Sequence, residues 1–457
     1  MRESRSITRF GLLTGSILVA LLAFCPILID GQMTPAEIEC SCAPAQVIIQ
    51  LNDAADLPAV ASRYGLSPYP LAQLGSPPIY LLKITTGKAP SQIVAGTSTD
   101  SRIIFSEINR KFLQVDVSGQ SWTEGRSWTI GRSWTIGGSR KGYAIQWFPN
   151  RIRLNEAFAA AGTRGLRKDN GQPIVVAVLD TGIDLNHPAF EGRLVDPLDQ
   201  WDFVDGDNDP SEFGILRQDP AYGHGTHVAG VIAMTAPDAK IMPIRILDRD
   251  GSGELWRITA GLIWAANHGA SVANLSIGFP EKVHILKDLL DDLDSDPEGG
   301  RTTFPELGTR KLAVLVASGN GGNSTKVYPA AERAAGMLSV AASSRYDTMA
   351  LFSSYDPSWV DVTAPGEDIV STLPGGRYGV WTGTSMAAPI VAGLAALLKA
   401  QNPDAKTFPK PHDLLNRISQ TSVNKRFSNL QPWNTDVQLN RVDALCAVTN
   451  NLNCPIP

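Results

Sequence analysis

A continuous apolar run, Ile174–Leu179, with comparable strand-like runs at Ile241–Leu247, Ser271–Ser276 and Leu312–Ala317, constrains this chain more than any other feature. A strand with one wet face alternates polar and apolar residues. These runs do not, so the sheet they build is covered on both faces. Helical segments fall between them, for example Glu254–His268. Strand alternating with helix implies a three-layer α/β fold around a mostly parallel central sheet. At 457 residues the chain has room for more than one domain. A hydrophobic content of 43% with 19% charged residues suits a large core. The formal net charge of −5 gives no reason to expect nucleic acid as a partner.

The N-terminus reads as a targeting segment. Arg2, Arg5 and Arg9 precede an uncharged, mostly apolar run from Phe10 to Ile29, and Asp30 closes it. A basic stretch followed by an apolar one directs a chain into the export route, which predicts a secreted or extracytoplasmic protein. The run fits either a cleaved signal or a membrane tether through residues 10–29. Cys446 and Cys454 flank a short polar loop. In an oxidising compartment they fit a C-terminal disulfide; the alternative is two unpaired thiols.

Four parts follow along the chain. Residues 1–42 are signal and spacer. Residues 43–117 hold a strand-like run at Gln46–Leu51, a helical pattern at Leu57–Tyr64 and a second strand at Ile79–Ile84, the signature of a small α+β domain. Residues 118–142 carry a hexapeptide repeat: Arg126–Gly131 recurs as Arg132–Gly137, with an imperfect copy at Gln120–Gly125. That period is too short for a helical solenoid and the copies too few for a β-helix, so we expect a flexible linker with exposed tryptophans. Residues 143–457 form the large α/β domain.

Within that domain three short motifs carry chemistry. Asp180 lies in Val178-Leu179-Asp180-Thr181-Gly182, His224 in His224-Gly225-Thr226-His227, and Ser385 in Gly383-Thr384-Ser385-Met386-Ala387-Ala388-Pro389. Asp180 ends a buried strand and His224 opens an apolar helix, at the carboxyl ends of strands where parallel α/β sheets place their sites. Ser385 precedes a long apolar run, so its hydroxyl sits at a helix N-terminus, where the positive dipole end favours a developing anion. Asn320, in Ser318-Gly319-Asn320-Gly321, follows another buried strand and offers an amide donor to such an anion. Each motif alone has a plain structural reading as a turn or a helix cap. His187, His227, His268, His284 and His412 lack this context and read as structural or solvated.

An acid, an imidazole and a hydroxyl in the order Asp…His…Ser match the subtilisin arrangement of the nucleophilic triad. From about Tyr143 to Val448 the chain resembles the subtilisin-like serine proteases, peptidase family S8. The resemblance also rests on Asp250-Gly251-Ser252-Gly253, Asn274-Leu275-Ser276-Ile277-Gly278, Tyr328-Pro329-Ala330 and Ala364-Pro365-Gly366. It implies a subtilisin-like fold and a serine endopeptidase acting on protein or peptide substrates, with Asp180, His224 and Ser385 as the triad and Asn320 in the oxyanion hole. It implies that Gly251, Ser252, Gly253 and Ser276, Ile277, Gly278 pair with substrate backbone. It further implies that residues 43–117 are a propeptide, the chain's own intramolecular inhibitor.

No cofactor is required for this chemistry. Asp205, Asp207 and Asp209, at alternate positions, resemble a calcium loop of thermitase-like relatives; acidic turns are also commonly just solvated. The family's loop for its tight calcium site is missing between Val231 and Ile241. An acidic insertion at about 281–310 is expected to form a surface excursion near the cleft. Two rival classes are a non-catalytic binding protein of the same shape, disfavoured by the complete triad, and an α/β-hydrolase, whose Gly-x-Ser-x-Gly elbow and residue order are absent.

Overall fold

The apolar runs do become adjacent parallel strands. The computed structural model describes residues 45–113, 133–215, 218–295, 302–403, 406–430 and 435–453, and residues 43–457 form one compact unit. The expected export segment, residues 10–29, lies outside the described residues.

Near the N-terminus, Gln46–Leu51 (β1), Ala72–Leu74 (β2), Ile79–Lys83 (β3) and Ile103–Ile108 (β4) form an antiparallel sheet in the order β2-β3-β1-β4. Leu57–Tyr64 (α1) and Pro90–Thr97 (α2) cover one face, where Val47, Ile49 and Leu51 pack with Val60, Ala61 and Ile93. The strand period of two sends Ile48 to the opposite face. There it joins Ile79 and Leu81 in the core of the larger domain. Both faces of this small sheet are therefore used, one for its own helices and one for docking.

Lys111–Leu113 (β5) follows, then Ser133–Gly138 (β6) and the short helices Arg140–Ala144 (α3), Phe148–Arg151 (α4) and Leu154–Ala161 (α5). The flexible linker expected over 118–142 is thus structured in its described part. The physical reason is an edge to pair with: β6 runs antiparallel to Arg377–Thr382 (β16), itself a hairpin with Ile369–Leu373 (β15).

The central sheet contains Val175–Asp180 (β7), Trp201–Asp202 (β8), Lys240–Arg245 (β9), Val272–Leu275 (β11), Ala313–Ala317 (β12), Met337–Ser343 (β13), Val362–Pro365 (β14), Val423–Leu430 (β17) and Thr435–Arg441 (β18). Ser252–Glu254 (β10) stands outside it. The order is β17-β18-β14-β13-β12-β11-β7-β9-β8, with all described pairs parallel except β17 with β18. Alternate residues feed two cores. Val176, Val178 and Leu315 face His224–Thr235 (α6) and Thr384–Gln401 (α9); Ala177, Leu179 and Val314 face Leu255–Asn267 (α7) and His284–Asp292 (α8). This is the three-layer α/β arrangement the apolar runs require.

Pro411–Gln420 (α10) and Ala444–Thr449 (α11) close the chain. Cys446 is disulfide-bonded, and the other four cysteines lie outside the described residues. The acidic insertion is more deeply packed than a surface excursion. Ile285, Leu286, Leu289 and Leu290 of α8 and the side chain of Phe304 are buried in the same core as α7. The apolar spacing on α8 explains this, since i, i+1, i+4 and i+5 form one helix face.

Candidate active site

Asp180 is the last residue of β7, an interior strand of the sheet, and it is fully buried. Its Oδ1 accepts the Thr181 N–H at 2.8 Å and lies 2.7 Å from His224 Nδ1. His224 is the first residue of α6, preceded by Gly223 at φ 98°, a left-handed conformation that favours glycine. The strand end and the helix start can approach because Gly225 has no side chain. A Cβ there would stand 2.0 Å from the Gly182 carbonyl oxygen.

Ser385 is the second residue of α9, which packs against α6. Its hydroxyl is buried with no hydrogen-bond partner. Trp381, four residues earlier, brings its ring within 5.1 Å of the His224 ring, centroid to centroid. On the other side, Asn320 Oδ1 accepts from Thr384 N at 2.9 Å and Thr384 Oγ1 at 3.0 Å. Those two bonds fix the orientation of the Asn320 amide beside the start of α9. Ser276 Oγ donates to the Ser385 carbonyl at 3.4 Å and accepts from Asn274 Nδ2 at 3.0 Å. The ends of β7, β11 and β12 thus bring the acid, the imidazole, the hydroxyl and the amide to one end of the sheet.

Gly251, Ser252 and Gly253 form a turn and an edge strand organised by Asp248, whose Oδ1 accepts the N–H groups of Asp250 and Ser252 at 3.0 and 2.9 Å. That edge is paired antiparallel with β5: Ser252 stands opposite Leu113, Gly253 opposite Phe112 and Glu254 opposite Lys111. Phe112 is buried, stacking on Phe279 at 4.2 Å, in a cluster with Leu255, Ile258 and Ile277. Ser276, Ile277 and Gly278 follow directly on β11, and Ile277 lies in the same buried cluster as Phe112.

The small domain also caps two helices. Glu107 accepts the N–H groups of His284 and Ile285, each at 2.9 Å, at the start of α8. Asn109 Oδ1 accepts from Trp256 N at 3.1 Å at the start of α7. Acceptors at helix N-termini satisfy donors that have no partner within the helix. Burial pushes the Glu107 carboxyl up, with the two N–H donors opposing.

The expected calcium ligands do not assemble. Asp205 and Asp202 each reach Arg245 Nη1 at 2.6 Å. Asp207 accepts the Asp209 N–H at 3.0 Å, and Asp209 accepts from the Ser211 hydroxyl at 2.5 Å. Among the described residues, no group of three or more His, Cys, Asp or Glu is placed to hold a metal. Arg245 already pairs with Asp202 and Asp205, and Asp207 and Asp209 accept from their own turn, so these side chains do not converge on a cation.

The other histidines take structural places. His227 is buried, bonded to the Ile369 carbonyl at 3.2 Å, and burial pushes its pKa down to about 3, so it is neutral. His187 bridges Arg377 O and Ala189 N. His268 stacks on Trp264, and His412 meets Asp294 at 2.7 Å. Two neighbours of Asp180 and His224 had no signal in the sequence. Trp381 covers His224, and Glu212 gathers four hydrogen bonds from Thr181, Gly223 and Thr226.

Comparison with known proteins agrees with this geometry. Residues 171–445 match the family model described as the Subtilase family, peptidase S8. The chain is 40% identical over 236 residues to a thermophilic serine proteinase of Bacillus sp. (strain AK1), covering 50% of this chain and 52% of that protein. It thus spans about half the length of that relative. It is 36% identical over 296 residues to subtilisin BL of Lederbergia lenta, covering 63% of this chain and 94% of that one. Against thermitase of Thermoactinomyces vulgaris the identity is 35% over 274 residues, covering 58% and 85%.

The close approach at Gly225 gives a direct test of the site's geometry. Gly225→Ala is expected to part β7 from α6 and lower peptide hydrolysis by about a hundredfold, as displacements near 1 Å do. Initial rates on a chromogenic peptide, beside a thermal melt, measure both effects.

Proposed function

The chain belongs to the subtilase family and is a serine endopeptidase, and from that premise we propose that it cuts peptide bonds through an acyl-enzyme on Ser385 with Asp180 and His224 as partners. The observation that carries this is the buried 2.7 Å contact between His224 Nδ1 and Asp180, with a buried Ser385 hydroxyl that makes no hydrogen bond of its own and so is uncommitted. His224 takes the Ser385 proton as the hydroxyl attacks the substrate carbonyl, then returns it to the leaving amine. Asp180 holds Nδ1–H, which fixes the tautomer and steadies the imidazolium. The Asn320 amide and the Ser385 backbone N–H donate to the oxyanion; losing one such donor costs about a hundredfold or more in turnover, a magnitude taken from a subtilisin. Water then releases the acyl group.

We further propose that the enzyme is made as an exported precursor in which residues 43–117 inhibit the site. The support is strand addition: β5 takes the edge of β10 and buries Phe112 against Phe279, as an extended substrate is expected to pair. Backbone pairing reads no side chain, which favours broad specificity. Calcium has no part in this proposal, because Arg245 stands among the carboxylates that would bind it.

Three outcomes follow. Phenylmethylsulfonyl fluoride is expected to label the mature enzyme at Ser385 alone, and Ser385→Ala to abolish both labelling and casein hydrolysis; peptide mass mapping reads the site. Glu107→Ala strips the cap from α8 and is expected to shorten, severalfold, the lag before activity appears in the refolded full-length precursor. N-terminal sequencing of the protein recovered outside the cell is expected to start beyond residue 117; a start before residue 43 would contradict removal of the inhibitory segment.

A further inference from the structure

Glu212 touches both sides of the Asp180–His224 contact without belonging to it. Its Oε1 accepts the Thr181 hydroxyl at 2.5 Å and the Gly223 N–H at 2.7 Å. Thr181 directly follows Asp180, and Gly223 directly precedes His224. A single oxygen therefore ties the end of β7 to the start of α6. Its Oε2 accepts the Thr226 N–H at 3.2 Å and the Thr226 hydroxyl. The two hydroxyls are committed in turn: Thr181 Oγ1 accepts from Gly225 N at 3.0 Å and Thr226 Oγ1 from Asp184 N at 2.8 Å. The segment bearing Glu212 is itself anchored, since Glu212 N donates to Ile183 O at 2.9 Å.

All four groups facing this carboxyl are donors. Only the ionised form accepts from all of them, because a protonated oxygen would point a hydrogen at another hydrogen. We propose that Glu212, as a carboxylate, is a positioning residue for His224: it sets the first turn of α6 against the end of β7, and its charge at that helix end favours the imidazolium formed during the reaction. This inference rests on the triad assignment given above and adds a residue to it.

The ionised form is held against an opposing force. Burial pushes Glu212 up to about 7, Asp180 adds to the rise, and the Thr181, Thr226 and Gly223 donors oppose it. Asp180 and His224 adjoin its partners Thr181 and Gly223, and Tyr222 feels its charge together with those of Arg377 and Asp184. Among the described residues no cation forms an ion pair with it. A carboxyl whose folded pKa is raised adds stability below its ordinary range and loses that contribution as pH rises through about 7. Activity needs the ionised form, so this site works on the less stable side of that titration.

The test compares propeptide-released wild type with Glu212→Gln on a peptide substrate across pH. In the variant kcat is expected to fall about ten- to a hundredfold at alkaline pH with KM changed less than about twofold. The wild-type acid limb is expected to lose two protons' worth of slope below about pH 7 and the variant only one. An unaltered kcat with an unaltered slope overturns the inference. Thr226→Val keeps the carboxyl but removes one donor, so its acid limb is expected to move to higher pH; an unmoved limb also overturns it. Sulfonyl labelling separates the two levels: an unlabelled Ser385 defeats the triad assignment, whereas a labelled Ser385 with an unchanged Glu212→Gln profile defeats only the role of Glu212.

Discussion

One buried hydrogen bond, from the imidazole of His224 to the carboxylate of Asp180, organises the catalytic half of this molecule. A carboxylate in a core is costly unless donors meet it. Here two donors meet one oxygen, Oδ1: Thr181 N from the strand end and His224 from the helix start. The bond requires β7 and α6 to meet almost in contact, which only glycine at position 225 permits. Gly182 shows the same pressure from the outside, where a Cβ would stand 2.5 Å from the Pro210 carbonyl oxygen. Packing, backbone conformation and chemistry converge on the same few residues.

The second constraint is the sheet edge. β10 stands outside the central sheet and offers its backbone edge to β5, as an exposed edge accepts an extended chain. The small N-terminal sheet uses this. One face packs its own helices, the other rests on the larger domain, and its last strand runs out onto β10. The carboxylate of Glu107 and the amide of Asn109 complete the contact by capping two helices of that domain. A surface suited to substrate is therefore also suited to a segment of the same chain.

Much of this was legible because it is local. The apolar runs gave β7, β9, β11 and β12 nearly to the residue, since burial on both faces removes alternation. The motifs around Asp180, His224 and Ser385 were legible because each falls at an element's end. What was not legible depends on residues far apart in sequence. The acidic turn at 205–209 looked like a cation site, and only the fold brings Arg245 into it. The third hexapeptide copy looked like linker, and only the fold supplies the β16 edge. Glu212 carries no motif at all, and its meaning comes from Thr181, Gly223 and Thr226 arriving around it.

Isotope-edited proton NMR of the mature enzyme with ¹⁵N-labelled histidine tests the central contact most directly. The account predicts a strongly downfield proton on His224 Nδ1 that disappears in Asp180→Asn while the other histidine signals stay in place. A His224 spectrum indifferent to Asp180→Asn, or no nitrogen-bound proton on Nδ1, would contradict it.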